Sequence, residues 1–280
     1  MNYTLTSTVG LPGGVKMPIL GLGTFLSEPG PTTRQAVMWA LEVGYRHIDT
    51  ARIYDNERDV GEGVRESGIS RSEVFITTKV WNDDQGYDSA LRACEASLKR
   101  LGTDYVDLYL IHWPVPQKRR ETWRALIRLW EEKTARAIGV SNFMIRHLDE
   151  LLGTSDVVPV VNQVEISPFI QRKALADYCQ SKGIVVEAYS PLSRGQRLKD
   201  PRLVAMAKKY GKTPAQIALR WVIQQGIVAI PKSVHRERIV ENAAIFDFAI
   251  DEKDMAEIAR WDEHYSVLEA WEPETSNLWD

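Results

Sequence analysis

The feature that most constrains the fold of this 280-residue chain is a regular alternation of short apolar segments with longer amphipathic ones. Eight apolar segments have the length and composition of strands: residues 19–22, 47–49, 74–78, 106–111, 136–140, 160–165, 184–189 and 227–230. Eight stretches with helical periodicity follow or separate them: residues 33–43, 57–66, 88–101, 122–132, 145–152, 173–182, 213–225 and 236–243. This alternation is typical of βαβ units and a parallel sheet.

Eight successive strand–helix pairs predict a closed (β/α)8 TIM barrel, with residues 1–280 forming a single domain. The competing architecture, a doubly wound dinucleotide-binding sheet, requires a G-x-G-x-x-G motif directly after a strand. The nearest candidate, residues 21–26, reads G-L-G-T-F-L and lacks the third glycine. We also expect an N-terminal β-hairpin in residues 3–17, a helix at 251–261, and an acidic tail, 262–280, that covers the barrel mouth as a loop or lid.

Composition excludes several classes of protein. The chain is 44% hydrophobic and 26% charged, which is ordinary for a globular protein with a sizeable core. A net charge of -3 and only one short basic cluster, residues 118–120, argue against nucleic-acid binding. Cys94 and Cys179 lack the spacing of a zinc or redox motif. The His, Cys, Asp and Glu residues nowhere have the spacing of a metal-ligand set, so we expect no metal. Without a leader-like or membrane-spanning segment, we expect a soluble cytoplasmic protein.

Four polar side chains follow three neighbouring predicted strands. Asp49 ends the second strand and Tyr54 lies in the loop after it, while Lys79 directly follows the third strand and His112 the fourth. The carboxyl ends of barrel strands converge at one mouth, where catalytic residues lie. Each residue alone has a structural explanation, such as a helix cap or a surface lysine. Together they are mutually consistent, because a partly desolvated lysine needs a carboxylate partner.

These four groups indicate carbonyl chemistry. A neighbouring ammonium should lower the pKa of the Tyr54 phenol and make it a usable general acid. His112 could donate a hydrogen bond that orients and polarises a substrate carbonyl. We therefore predict a site that reduces carbonyl groups.

Several longer motifs resemble those of the aldo-keto reductases and occur in that family's order. They are GYRHIDTA at 44–51, YDNE at 54–57, ITTKVW at 76–81, LIHWP at 110–114, IGVSNF at 138–143, NQVE at 162–165, AYSPL at 188–192 and IPKSV at 230–234. The resemblance covers about residues 17–262 and is strongest to the bacterial 2,5-diketo-D-gluconic acid reductases and to methylglyoxal-type reductases. It implies a catalytic tetrad of Asp49, Tyr54, Lys79 and His112, with Tyr54 as proton donor. Histidine at position 112, where some relatives have glutamate, favours reduction of carbonyls over carbon–carbon double bonds.

The resemblance also implies NADPH as cofactor, lying extended across the barrel mouth. The residues implied in binding it are Gly23, Thr24, Asp49, Ser141, Asn142, Gln163, Tyr189, Ser190, Leu192, Lys232, Ser233, Val234, Arg238, Glu241 and Asn242. Within that set, Ser141, Asn142 and Gln163 would surround the nicotinamide carboxamide, and Tyr189 would stack on the ring. Lys232, Ser233 and Arg238 would bind the 2′-phosphate, and Glu241 and Asn242 the adenine. His235 departs from the threonine or arginine usual there and could weaken the preference for NADPH.

The implied substrate pocket contains Phe25, Tyr54, Trp81, His112 and Trp113, with Trp271 or Trp279 as possible contributions from the tail. Aromatic walls suit many carbonyl compounds. The expected substrates are small carbonyls such as methylglyoxal or diketo sugar acids, and the expected oligomeric state is a monomer. Two alternatives remain open: a nucleotide-binding, redox-sensing module with little turnover, and a barrel isomerase or aldolase in which Lys79 forms a Schiff base.

Overall fold

The structure, a computed structural model, describes residues 3–280 and begins with the predicted β-hairpin. Strand β1 (Thr8–Gly10) pairs antiparallel with β2 (Lys16–Pro18) across a 3-10 turn at Pro12–Gly14. The first strand starts later than the predicted position 3. Leu11, Val15 and Met17 pack against the first residues of barrel strands, so the hairpin closes the amino-terminal end of the barrel.

The sheet is the predicted closed barrel. Its eight strands are β3 (Leu22–Gly23), β4 (His47–Asp49), β5 (Phe75–Val80), β6 (Val106–Ile111), β7 (Ala135–Ser141), β8 (Val161–Glu165), β9 (Val185–Tyr189) and β10 (Val228–Ala229). They pair in parallel and in chain order from β3 to β10. The first and last strands meet through the Gly21 N–H, which donates to the Ala229 carbonyl at 2.9 Å, and the Ala229 N–H, which donates to the Ile19 carbonyl at 3.0 Å. These bonds remove the sheet edges.

Helices surround the barrel. They are α1 (Pro31–Val43), α2 (Glu57–Glu66), α3 (Tyr87–Leu101), α4 (Arg119–Glu131), α5 (Ile145–Leu152), α6 (Lys173–Ser181), α7 (Pro201–Tyr210), α8 (Pro214–Gln224), α9 (Arg236–Ala243) and α10 (Glu252–Ile258). Their buried faces and the outward side chains of the strands form one large apolar core. None of the helices in residues 3–280 has the length and apolar character that crossing a bilayer requires.

Two predictions about these elements were wrong. Helix α7 was not predicted, although the Asp200 side chain caps it by accepting a hydrogen bond from the Arg202 N–H at 3.0 Å. Pro201 occupies its first turn and Gly211 ends it at a φ of +62°, both ordinary helix boundary signals. Lys79 was expected after its strand but lies inside β5, one residue before the end.

The C-terminal tail has no long helix or strand, as predicted. After a 3-10 turn at Ala259–Trp261 it makes two further short turns, Glu269–Trp271 and Asn277–Trp279. The Arg172 guanidinium donates to both carboxylate oxygens of Glu272, at 2.7 and 2.8 Å. Glu165, at the end of β8, accepts hydrogen bonds from the Ser266 hydroxyl at 2.7 Å and the Val267 N–H at 3.0 Å. The tail is therefore fixed to the mouth side of the barrel.

Candidate active site

A cavity of about 990 Å³ opens at the carboxyl ends of the barrel strands. Because the hairpin closes the opposite end, ligands reach the barrel interior from this mouth. Most predicted site residues line the cavity: Gly23, Phe25, Asp49, Tyr54, Trp81, His112, Trp113, Ser141, Asn142, Gln163, Tyr189, Ser190, Leu192, Lys232, Ser233, Val234, Arg238, Glu241 and Asn242. Thr24 and Lys79 do not line it. The N–H and hydroxyl of Thr24 both donate to the Asp49 carbonyl, at 3.0 and 2.9 Å, so the structure offers no support for Thr24 as a cofactor contact.

Lys79 lies fully buried behind the cavity wall, bound to the carboxylate that was predicted for it. Its Nζ is 2.7 Å from Oδ1 and 2.9 Å from Oδ2 of Asp49, and it donates to the Thr50 carbonyl at 2.9 Å. Burial raises the pKa of the Asp49 carboxyl, and the Lys79 charge opposes that rise. The charge of each group is therefore stabilised mainly by the other.

Tyr54 lies within hydrogen-bonding range of this pair, with its Oη 3.4 Å from Lys79 Nζ. Its pKa is nevertheless raised well above the ordinary value, first by burial and then by the negative charges of Asp49 and Glu187. The sequence-based expectation of a lowered pKa was wrong, because the phenol is buried and because Asp49 offsets the ammonium charge of Lys79. Tyr54 therefore holds its proton, as a general acid must before it donates.

His112 faces Tyr54 across the cavity, with ring centroids 5.7 Å apart in an edge arrangement. Burial and, secondarily, the Lys79 charge hold the pKa of His112 well below its ordinary value. The imidazole is thus neutral near pH 7 and carries one N–H donor. A neutral donor beside a protonated phenol can hydrogen-bond one carbonyl oxygen from two directions.

One wall of the cavity is a network of polar side chains on β7, β8 and β9. The Tyr189 hydroxyl donates to Asn142 Oδ1 at 2.6 Å, and Asn142 Nδ2 donates to the His112 carbonyl at 3.0 Å. The Ser141 hydroxyl donates to the main-chain carbonyl of Gln163 at 2.8 Å. These bonds fix Ser141, Asn142 and Tyr189, three of the four side chains that were predicted to lie around the nicotinamide.

The distal end of the cavity is cationic. Lys232 and Arg238 both line it and form no ion pair within residues 3–280. Partial burial and the charge of Arg238 lower the pKa of Lys232, which shows that the two cations repel each other. Helix α9 begins beside them, and a helix N-terminus also favours an anion. His235, the predicted departure from the family pattern, is its N-cap residue.

An aromatic cluster forms the other wall. Trp113 stacks on Trp279 at 4.7 Å between ring centroids, and Trp271 lies 5.3 Å from Trp113 and 6.3 Å from Trp81. Trp271 is 42% exposed and lines the cavity, whereas Trp279 is 4% exposed and supports Trp113 from behind. Of the two tail tryptophans, Trp271 alone contacts the cavity.

Sequence reasoning missed three charged residues, of which Glu269 lines the cavity in the same short turn as Trp271. Arg194 lines the cavity beyond the AYSPL motif, with its guanidinium 5.4 Å from the centroid of the Phe25 ring. Glu187 lies inside the barrel behind Gln163 and Asp49. The signal for Glu187 was a single carboxylate in the middle of the apolar segment 184–189.

No group of three or more His, Cys, Asp and Glu side chains in the described part of the chain is arranged to hold a metal ion. Both cysteines are buried and unpaired.

The mouth of this (β/α)8 barrel holds a protonated phenol, a buried lysine–carboxylate pair and a neutral imidazole. This arrangement is typical of a barrel enzyme with an acid–base site. The model of the aldo/keto reductase family matches residues 19–263. Glyoxal reductase of Bacillus subtilis (strain 168) is 52% identical over 258 residues, covering 92% of this chain and 94% of that protein. The chain therefore belongs to the aldo/keto reductase family and is an oxidoreductase.

Solved structures agree. An aldo/keto reductase from Brucella melitensis superposes with a TM-score of 0.88 at 49% identity, covering 91% of this chain and 99% of that one. An aldo-keto reductase from Bombyx mori, solved in complex with NADP, has a TM-score of 0.89 at 38% identity and covers 99% of both chains. The predicted family, barrel fold and enzyme class are confirmed.

Proposed function

We propose that this protein is an NADPH-dependent reductase of small aldehydes and ketones, in which Tyr54 donates the proton. The observation that carries the proposal is the Tyr54 phenol facing His112 across the cavity, with the Lys79–Asp49 pair behind it. The raised pKa of Tyr54 and the lowered pKa of His112 agree with a phenol that keeps its proton and an imidazole that is neutral. NADPH, when bound, supplies the hydride. The His112 N–H and the Tyr54 O–H hydrogen-bond the substrate oxygen, and the Tyr54 proton passes to that oxygen as it becomes a hydroxyl.

The cavity fits the cofactor at both ends. The unpaired Lys232 and Arg238, with Ser233 between them in sequence, match the charge of a 2′-phosphate, which favours NADPH over NADH. The locked amide and hydroxyl side chains at the other end suit a carboxamide, and Tyr189 offers a ring for stacking. The relative solved with NADP supports the same assignment.

Small dicarbonyls such as methylglyoxal are the proposed substrates. The aromatic wall of Trp81, Trp113 and Trp271 leaves an apolar pocket, and the name of the glyoxal reductase relative points to the same class. Diketo sugar acids remain a second group to test. We further propose that the enzyme acts as a monomeric single domain in the cytoplasm.

The test is the loss of NADPH absorbance with methylglyoxal, a nitrobenzaldehyde, a diketo sugar acid and a ketosteroid, repeated with NADH. Tyr54→Phe should lower kcat by about 100- to 10,000-fold and leave NADPH affinity, measured by fluorescence quenching, unchanged. Tyr105→Phe removes a hydroxyl outside the cavity and serves as the matched control. Substantial turnover by Tyr54→Phe would refute the mechanism, and nucleotide binding without turnover of any carbonyl would favour the redox-sensing module.

A further inference from the structure

A buried carboxyl group lies in the barrel interior directly behind the cavity wall. Glu187 is the middle residue of β9 and has no exposed surface. Its neighbours Val186 and Ala188 belong to the apolar core between the strands and the helices, which places Glu187 on the inward face of the strand. The mechanism above gives this residue no task.

Glu187 acts on the cavity through the Gln163 amide. Gln163 Nε2 donates to Glu187 Oε2 at 2.8 Å and to Asp49 Oδ2 at 2.7 Å. An amide nitrogen carries two hydrogens, so both are used on carboxyl groups. The reversed amide would place its oxygen against the Asp49 carboxylate and give up the N–H bonds to both carboxyl groups, and this favours the observed orientation of Gln163.

The fixed orientation leaves Gln163 with one free polar atom. Oε1 accepts no hydrogen bond from residues 3–280, while Gln163 itself lines the cavity. The wall therefore presents an acceptor at this point, which matches a ligand group that carries N–H donors.

The groups around Glu187 explain why its carboxyl can stay there. Asp49 and Lys79 compensate each other, and the His47 Nε2 lies 3.6 Å from Glu187 Oε1. Burial lowers the pKa of His47 to about 3, so its ring is neutral, and Tyr54 is protonated. Burial and the Asp49 charge raise the pKa of Glu187 to about 8. This shift favours a neutral Glu187 at pH 7 beside the Lys79–Asp49 pair, whereas at the higher pH where Tyr54 would ionise the Glu187 carboxyl is charged.

We propose that Glu187 is a positioning residue that holds the Gln163 amide with its oxygen toward the cavity and so creates the acceptor for the carboxamide of nicotinamide. This inference rests on the proposed function. A carboxyl at position 187 keeps the acceptor in place whether or not it is ionised, because both forms accept the Gln163 N–H. An apolar side chain there would leave Asp49 as the one remaining acceptor for the Gln163 amide nitrogen, and the second N–H, without a partner, would weaken the hold on the amide orientation.

The experiment compares two substitutions at one position. Glu187→Gln can still accept the Gln163 N–H and should bind NADPH as the wild type does. Glu187→Val cannot, and its NADPH affinity, measured by fluorescence quenching, should fall about tenfold. Binding of 2′,5′-ADP, which lacks the carboxamide, should be unchanged in both variants. Val186→Ala removes packing from the same strand without touching Gln163 and is the matched control.

Wild-type affinity for NADPH in Glu187→Val, or an equal loss for 2′,5′-ADP, would overturn the inference. Failure of the wild type itself to bind NADPH would instead overturn the proposed function.

A second experiment measures stability and needs no ligand. The folded-state pKa near 8 lies above the usual value of 4.5, so wild-type stability should decrease as pH rises from about 4.5 to 8. Glu187→Gln should lack this component of the decrease. Identical pH profiles of the melting temperature would contradict the raised pKa of Glu187, whereas the two NADPH affinities decide the positioning role.

Discussion

Replacing Lys79 with methionine tests the electrostatic centre of the site. The side chain is fully buried, and its Nζ donates to both carboxylate oxygens of Asp49 and to the Thr50 carbonyl within 2.9 Å. Methionine has a similar length, but it removes the cation, its hydrogen bonds to Asp49 and Thr50, and the longer one to the Tyr54 hydroxyl. The Asp49 carboxylate then keeps one side-chain hydrogen bond, the one that it accepts from the Gln163 amide.

Breaking a buried ion pair from one side costs about 3–5 kcal/mol. For a chain of this size the melting temperature should fall by roughly 6–20 °C. The loss should also depend on pH. Lys79 opposes the rise in the Asp49 pKa, so without it the folded-state pKa rises further above the unfolded value. The carboxyl then takes up a proton on folding, and the stability deficit of Lys79→Met should shrink as pH is lowered from 8 toward 5.

Urea unfolding at pH 5 and pH 8 measures both effects. Lys99→Met is the matched control, since Lys99 pairs with Glu95 on an exposed helix face and should change stability little. The double variant Asp49→Asn/Lys79→Met leaves no uncompensated charge and should be more stable than Lys79→Met by about 1–3 kcal/mol. A loss below about 1 kcal/mol for Lys79→Met, or one independent of pH, would refute this account of the pair.

Three further predictions concern the cavity. Arg238→Ala should weaken NADPH binding about 10- to 100-fold, through loss of a charge-assisted hydrogen bond, and leave NADH binding unchanged; equal losses in quenching titrations would argue against a 2′-phosphate site. Trp271→Ala should raise KM for a nitrobenzaldehyde roughly 2- to 10-fold with little effect on methylglyoxal; unaltered KM for both would remove Trp271 from the substrate wall. Because burial and nearby carboxylates raise the Tyr54 pKa, ultraviolet difference spectra of wild type minus Tyr54→Phe should show no tyrosinate below pH 10; a phenolate near pH 8 would contradict the raised value.

Much of the fold could be predicted from the sequence, because in a barrel each strand is buried on both faces and appears as an apolar run. Strands β4 and β6 and helices α2, α5 and α9 have the predicted ends. Helix α7 was missed since it lies beside α8 as an addition to the regular strand–helix alternation. The tail anchors were also beyond prediction, because the Arg172–Glu272 pair joins residues 100 positions apart.

The composition of the site could be predicted better than its electrostatics. Convergence of strand ends brought Asp49, Lys79, Tyr54 and His112 together as expected. The direction of the Tyr54 pKa shift depends first on the burial of the phenol, then on the charge of Asp49 beside Lys79 and on Glu187, which lies on another strand. Charge compensation depends on the distances between groups in the folded protein. These distances cannot be read directly from the order of residues in the sequence.

The buried polar layer explains how one site can hold both a proton donor and a ligand acceptor in place. Asp49 binds Lys79 through both oxygens and also accepts from Gln163, so the group that compensates the lysine also fixes the cavity wall. Glu187 accepts the second hydrogen bond that the same Gln163 amide donates. Because these side chains lie on four barrel strands whose backbones are hydrogen-bonded into a closed sheet, none of them can shift alone. The geometry is therefore set before a ligand arrives, and a reaction in this site requires little rearrangement of its charges.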